Sequence, residues 1–108
     1  MKRWLVLLEL ALVATGCCAE EAELRREFDE VVESRNGCQT ASDCEMVYPG
    51  CPFGCGVAVN REHAGAVRRK AEELVDEYES CNQECVYDCI ALGEPMCVSG
   101  HCSAEPIE

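Results

Sequence analysis

The residues best able to do chemistry in this chain are its thiols. Cysteines stand at positions 17, 18, 38, 44, 51, 55, 81, 85, 89, 97 and 102, eleven in 108 residues. Thiols at this density have two principal uses: as thiolates they hold a soft metal such as Cu(I) or Zn(II), and as oxidised pairs they crosslink the chain. One set has a metal-like spacing. Cys81, Cys85 and Cys89 repeat every four residues, which puts three sulfurs on one face of a helix if the helix continues through them. Neither His63 nor His101 stands at a zinc spacing from a cysteine pair, so no histidine completes that set. Cys51 and Cys55 are separated by three residues, not the two of C-x-x-C redox enzymes, and the chain has no room for a thioredoxin core.

The compartment decides between the two uses. Lys2 and Arg3 form a short positive region, followed by the apolar run "WLVLLELALVA" and then by Ala14, Thr15, Gly16 and Cys17. The run is short for a bilayer span and has the layout of an export signal. Small residues directly before Cys17 resemble the lipobox of bacterial lipoproteins. That resemblance implies cleavage before Cys17 and a diacylglyceryl group on its sulfur, with the membrane as a partner through the lipid. Ala14-x-Gly16 also satisfies ordinary signal cleavage, which would give a soluble secreted chain. Both readings put residues 1–16 in a signal peptide and the body outside the cytoplasm, in the bacterial cell envelope on the first.

Outside the cytoplasm thiols oxidise. The disulfide candidates are Cys38, Cys44, Cys51, Cys55, Cys81, Cys85, Cys89, Cys97 and Cys102. They are odd in number, so Cys18 is either the tenth partner or one of two thiols left over, one of which could link two copies into a dimer. Eight cysteines already allow 105 connectivities, and spacing alone does not choose among them. Crosslinks suit the size: a region bounded by Cys38 and Cys102 buries little apolar surface on its own.

Other chemistry finds no carrier. The formal net charge is −12, and one unit more negative once residues 1–16 with Lys2, Arg3 and Glu9 are removed. A surface of that sign repels nucleic acid and favours a cationic protein partner. No G-x-S-x-G, phosphate loop or EF-hand pattern occurs, and the acid pairs Asp43/Glu45 and Asp76/Glu77 have nothing to mark them as a catalytic dyad. No enzyme and no cofactor is expected.

These side chains are carried by few elements. In residues 19–35, Leu24, Phe28, Val31 and Val32 recur at helical spacing, with Glu20, Glu21 and Glu23 at the start and Gly37 as a C-cap. Residues 17–36 thus read as a lipid-anchored N-terminal helix, either docked on the domain or acting as a stalk above the membrane. "DCEMVYPG" alternates as a strand with Cys44, Met46 and Tyr48 on one face, and "CGVAV" as a second with Cys55, Val57 and Val59 together. Between them "YPGCPFGCG", residues 48–56, reads as an exposed loop with Tyr48 and a protruding Phe53, the binding loop of an inhibitor- or toxin-like scaffold. Asn60 caps a helix from 61 to 80 with the stripe Ala64, Val67, Ala71, Leu74, Val75 and Tyr78; Arg68-Arg69-Lys70 lies on its solvent side. Ser99-Gly100 turns a hairpin between Met96–Val98 and His101–Ser103, with Cys97 facing Cys102.

Asp43-Cys44, Cys51-Pro52-Phe53-Gly54-Cys55, Val59-Asn60-Arg61 and Cys97-Val98-Ser99-Gly100-His101-Cys102 together resemble a pattern of uncharacterised cysteine-rich exported bacterial proteins. The resemblance covers most of residues 38–103. It implies a fold and an exported setting, and no activity.

The reading is a small disulfide-rich α+β protein with two amphipathic helices and a short antiparallel sheet ending in a β-hairpin. Residues 37–104 form the stapled domain and 105–108 a tail. Its function is that of a non-enzymatic binding or structural module of the cell envelope. The alternatives are the scaffold with the 48–56 loop and metal binding through Cys81, Cys85 and Cys89. Chain geometry adds one expectation. A strand over 55–59 runs roughly 15 Å and a helix over 61–80 returns roughly 30 Å. The end of the helix therefore passes the start of the strand, which predicts at least one bridge from Cys51 or Cys55 to Cys81, Cys85 or Cys89. Cys97 and Cys102 are then left to Cys38, Cys44 or each other.

Overall fold

The computed structural model describes residues 19–81, 83, 85 and 88–107. Its elements are α1 (Glu21–Ser34), β1 (Cys44–Val47), β2 (Val57–Asn60), α2 (Ala64–Glu79), β3 (Met96–Val98) and β4 (His101–Ser103), with 3-10 turns at Ala41–Asp43 and Arg61–His63. The chain is a small disulfide-rich α+β fold, as the sequence predicts. Its strands form two antiparallel two-stranded sheets, β1–β2 and β3–β4, and not one.

Helix α1 forms on the predicted stripe, with Leu24 and Phe28 each 1% exposed and Val31 and Val32 packed beside them. Its outer face carries the ion pairs Arg25–Glu21 and Arg26–Glu30. Because its apolar stripe is in the core, α1 belongs to the body and is not a stalk. The cap differs from expectation: Arg35 closes the helix, its N–H donating to the Val32 carbonyl. Gly37 is instead bridged to His101. The backbone from 35 to 38 joins the two sheets, since Asn60 N–H donates to Arg35 O (2.8 Å), Cys102 N–H to Asn36 O (2.7 Å) and Cys38 N–H to Gly100 O (2.9 Å). Gly37 takes part in this pairing in an ordinary backbone conformation, and a Cβ there would meet nothing within 4 Å, so it is not a left-handed cap.

In the first sheet Cys44 lies opposite Asn60 and Val47 opposite Val57. Alternation gives it two apolar faces. Val47, Val57 and Val59 face the helices, while Cys44, Met46 and Ala58 face the hairpin side. The strand ends at Val47, two residues before Pro49, so Tyr48 does not extend the Cys44–Met46 face and is 69% exposed.

Helix α2 follows from Asn60, whose side chain accepts the Glu62 N–H at 2.9 Å. Ala64, Val67, Ala71, Leu74 and Tyr78 are buried as the stripe requires, with Val75 at its edge. α2 runs antiparallel to α1. Lys70 Nζ bridges Glu27 at 2.9 Å and Glu73 at 2.8 Å, and the Tyr78 hydroxyl bonds Glu21 at 3.4 Å. The carboxylates of Glu27 and Glu73 raise the Lys70 pKa above the ordinary lysine range. α2 stops at Glu79, and the described residues between 81 and 89 are not helical. Cys81, Cys85 and Cys89 therefore do not share a helix face.

The hairpin is the predicted one. Ser99 (φ 52°) and Gly100 (φ 84°) both take positive φ, the geometry that matches strand twist in two-residue turns, and Cys97 faces Cys102. The last residues are not a loose tail: Gly93 N–H donates to Glu105 O and Ile107 N–H to Ala91 O, with Leu92 opposite Pro106.

Candidate functional site: a disulfide-walled groove

Four disulfides join the described residues: Cys38–Cys97, Cys44–Cys102, Cys51–Cys85 and Cys55–Cys89. Cys81 is disulfide-bonded as well. The expected connection of 51/55 to the cysteines after α2 occurs twice, and Cys97 and Cys102 go to Cys38 and Cys44. The physical reason is the one given by chain geometry: α2 packs back across β1 and β2, bringing the chain beyond its end to the start of β2.

This pairing removes the thiolate trio. Cys85 and Cys89 are bonded to Cys51 and Cys55, and Cys81 is oxidised too, so none of the three offers a thiolate. A different sulfur cluster lies under the hairpin. The sulfurs of Cys38, Cys44 and Cys102 are within 4.8 Å of one another, forming with Cys97, Met46, Ala58 and Ala104 a second, sulfur-rich core. Each of its cysteines is already in a disulfide, so metal ligation there would first require reduction. Cys17 and Cys18 lie outside the described residues.

The 48–56 loop has a different surface from the one expected. Phe53 is 8% exposed, its ring 5.2 Å from that of Phe28. Pro52 beside it is among the most buried side chains. Phe53 N–H donates to Gly50 O at 2.8 Å, and Gly50 (φ 90°) and Gly54 (φ 110°) flank the turn that directs the ring inward. Phe53 is thus core, and Tyr48 is the exposed aromatic of this loop. Phe53 is therefore not the exposed tip expected of this loop.

Beyond Tyr48 lies an open groove of about 390 Å³ lined by Gly54, Cys55, Gly56, Asp88, Ile90, Leu92 and Pro106. Its two walls are joined by the Cys55–Cys89 bond. Gly56 is where side chains close in: a Cβ there would sit 2.8 Å from Leu92 Cδ1, 3.1 Å from Met46 Cε and 3.2 Å from Tyr48 Cδ1. Ile90 is 63% exposed at the groove and Ile107 57% exposed beyond Gly93. A larger concavity, about 800 Å³, follows α1 from Glu21 to Glu33, but its described lining comes from one charged helix face and it offers no converging groups. The apolar groove has the better claim to bind.

Among the described residues no helix is long and apolar enough to cross a membrane. Among the described residues no charged side chain is fully buried, and the clear pKa shifts have structural causes. Backbone N–H groups of Gln39 and Thr40, at 2.8 and 3.0 Å, lower the pKa of Asp43, with Arg61 helping. Burial and then the Glu21 carboxylate raise that of Tyr78. Neither lies at the groove. The small size and dense disulfides fit a structural or binding module of an exported protein. Comparison with known proteins finds no matching family model, no matching curated sequence and no matching solved structure.

Proposed function

We propose that the protein is a non-enzymatic binding module of the bacterial cell envelope, held to the membrane by a lipid on Cys17. The supporting feature is the groove fixed by Cys55–Cys89, with Tyr48 and Ile90 exposed beside it. Disulfide-fixed walls are already ordered before binding, so association loses less conformational freedom. The groove is apolar, carries Asp88, and belongs to a chain of net charge −12. Its occupant is a segment of a partner protein with an apolar side chain next to a basic one. The anchor reading rests on Ala14-Thr15-Gly16-Cys17: the Cys17 thiol loses its proton and takes the diacylglyceryl group of a phospholipid, whose headgroup phosphate leaves.

A photo-crosslinking residue at position 90 in the exporting cell tests the binding reading. It should trap one discrete partner, and Tyr48→Ala should abolish trapping while the protein stays folded, with a melting shift of at most a few degrees. Failure to trap a partner, or trapping indifferent to Tyr48, contradicts it.

A further inference from the structure

We infer that the fifth disulfide joins Cys81 to Cys18, leaving Cys17 as the one thiol for the lipid. The choice between the two neighbours rests on the anchor reading above; the connection of Cys81 to this pair does not. Eight of the eleven cysteines are committed in four bonds, and Cys81 is in a fifth. Within one chain only Cys17 and Cys18 remain as its partner.

The helix register leads to the same place. From Lys70 to Tyr78 along α2, the matching contacts on α1 step back from Glu27 to Glu21. Cys81 comes three residues after Tyr78, and Cys18 three residues before Glu21. Each end of this extension is held. The Cys81 N–H donates to Tyr78 O at 3.3 Å, and Ala19, directly after Cys18, packs against the core that contains Tyr78. A disulfide needs Cα atoms within roughly 7 Å, and the antiparallel run leaves Cys81 at the end of the body where α1 begins. Closing the bond removes two protons and two electrons, taken by a disulfide oxidant of the exported compartment.

The consequence is an anchor without a spacer. The lipid would attach one residue from a crosslink into the body, fixing the end of the molecule where α1 begins and α2 ends close to the membrane.

The test is peptide mapping of the full chain, exported in bacteria, taken from membranes, alkylated and digested without reduction. A linked peptide pair containing Cys18 and Cys81 is expected. Alkylated Cys81, a Cys17–Cys81 link, or a Cys81–Cys81 link between copies overturns the inference. Cys18→Ser should expose Cys81 to alkylation while membrane retention stays unchanged; a Cys81 still protected in that variant also overturns it. If Cys17→Ser stays on the membrane while the Cys18–Cys81 link is present, the anchor reading fails and the pairing stands.

Discussion

Replacing Phe53 with alanine should cost far more than replacing Tyr48, although both belong to the same turn-rich loop. A phenylalanine buries about 150–250 Å², which at about 25 cal/mol per Å² corresponds to roughly 4–6 kcal/mol. Phe53 is 8% exposed, so nearly all of this applies. A compact unfolded state and the remaining alanine methyl reduce it to about 3 kcal/mol, the lower end of measured Phe→Ala losses. Tyr48 is 69% exposed, and its truncation should cost less than about 1 kcal/mol. Equilibrium urea unfolding with disulfides intact and constant m-value measures both. In a domain of this size the Phe53→Ala loss corresponds to a melting shift of roughly 12–24 °C. A loss below about 1 kcal/mol would refute the placement of the ring against Phe28.

Other perturbations follow from the same geometry. Removing the groove bond by Cys55→Ser with Cys89→Ser releases a loop that the neighbouring Cys51–Cys85 bond already limits to about ten residues, a loss of about 2.5–3 kcal/mol by loop-closure entropy, measured by denaturation. Cys17→Ser should release the protein from the membrane fraction on immunoblots; retention would mean that something other than a thioether lipid holds it. Gly56→Val should distort the groove, because Leu92, Met46 and Tyr48 already occupy the space of its side chain, and it should lower partner capture at position 90. Asp43 has a lowered folded pKa, so its contribution is present above its unfolded value of 3.8 and is lost as pH falls through the folded value. Asp43→Asn should therefore flatten the acid limb of a stability–pH curve, and an unchanged limb would remove Asp43 as its source.

Much of this fold was legible because it is written in local periodicity. The stripes of α1 and α2 and the Ser99-Gly100 turn are short-range signals, and the return of α2 follows from element lengths. What was not legible depended on long-range contacts. Phe53 looks exposed in a Gly- and Pro-rich stretch, and only its packing on Phe28, twenty-five residues earlier, shows it to be core. Cys81, Cys85 and Cys89 keep a helical spacing, but α2 ends before them and two disulfides draw the chain back to the loop. Gly37 has the residue type of a C-cap, yet the hairpin supplies it with a strand-like partner in His101. The groove was missed for the same reason: Gly56, Ile90, Leu92 and Pro106 come from separate segments, and no sequence signal joins them beyond Cys55 and Cys89.

Intact mass of the protein isolated from native membranes, before and after reduction, tests most directly whether this is an exported, lipid-anchored, disulfide-stapled module. The expected result is a chain beginning at Cys17 with the added mass of a lipid, which gains about ten mass units on reduction, two for each of the four bonds described and two for that of Cys81. A chain that retains residues 1–16, carries no lipid, or gains no mass on reduction would contradict it.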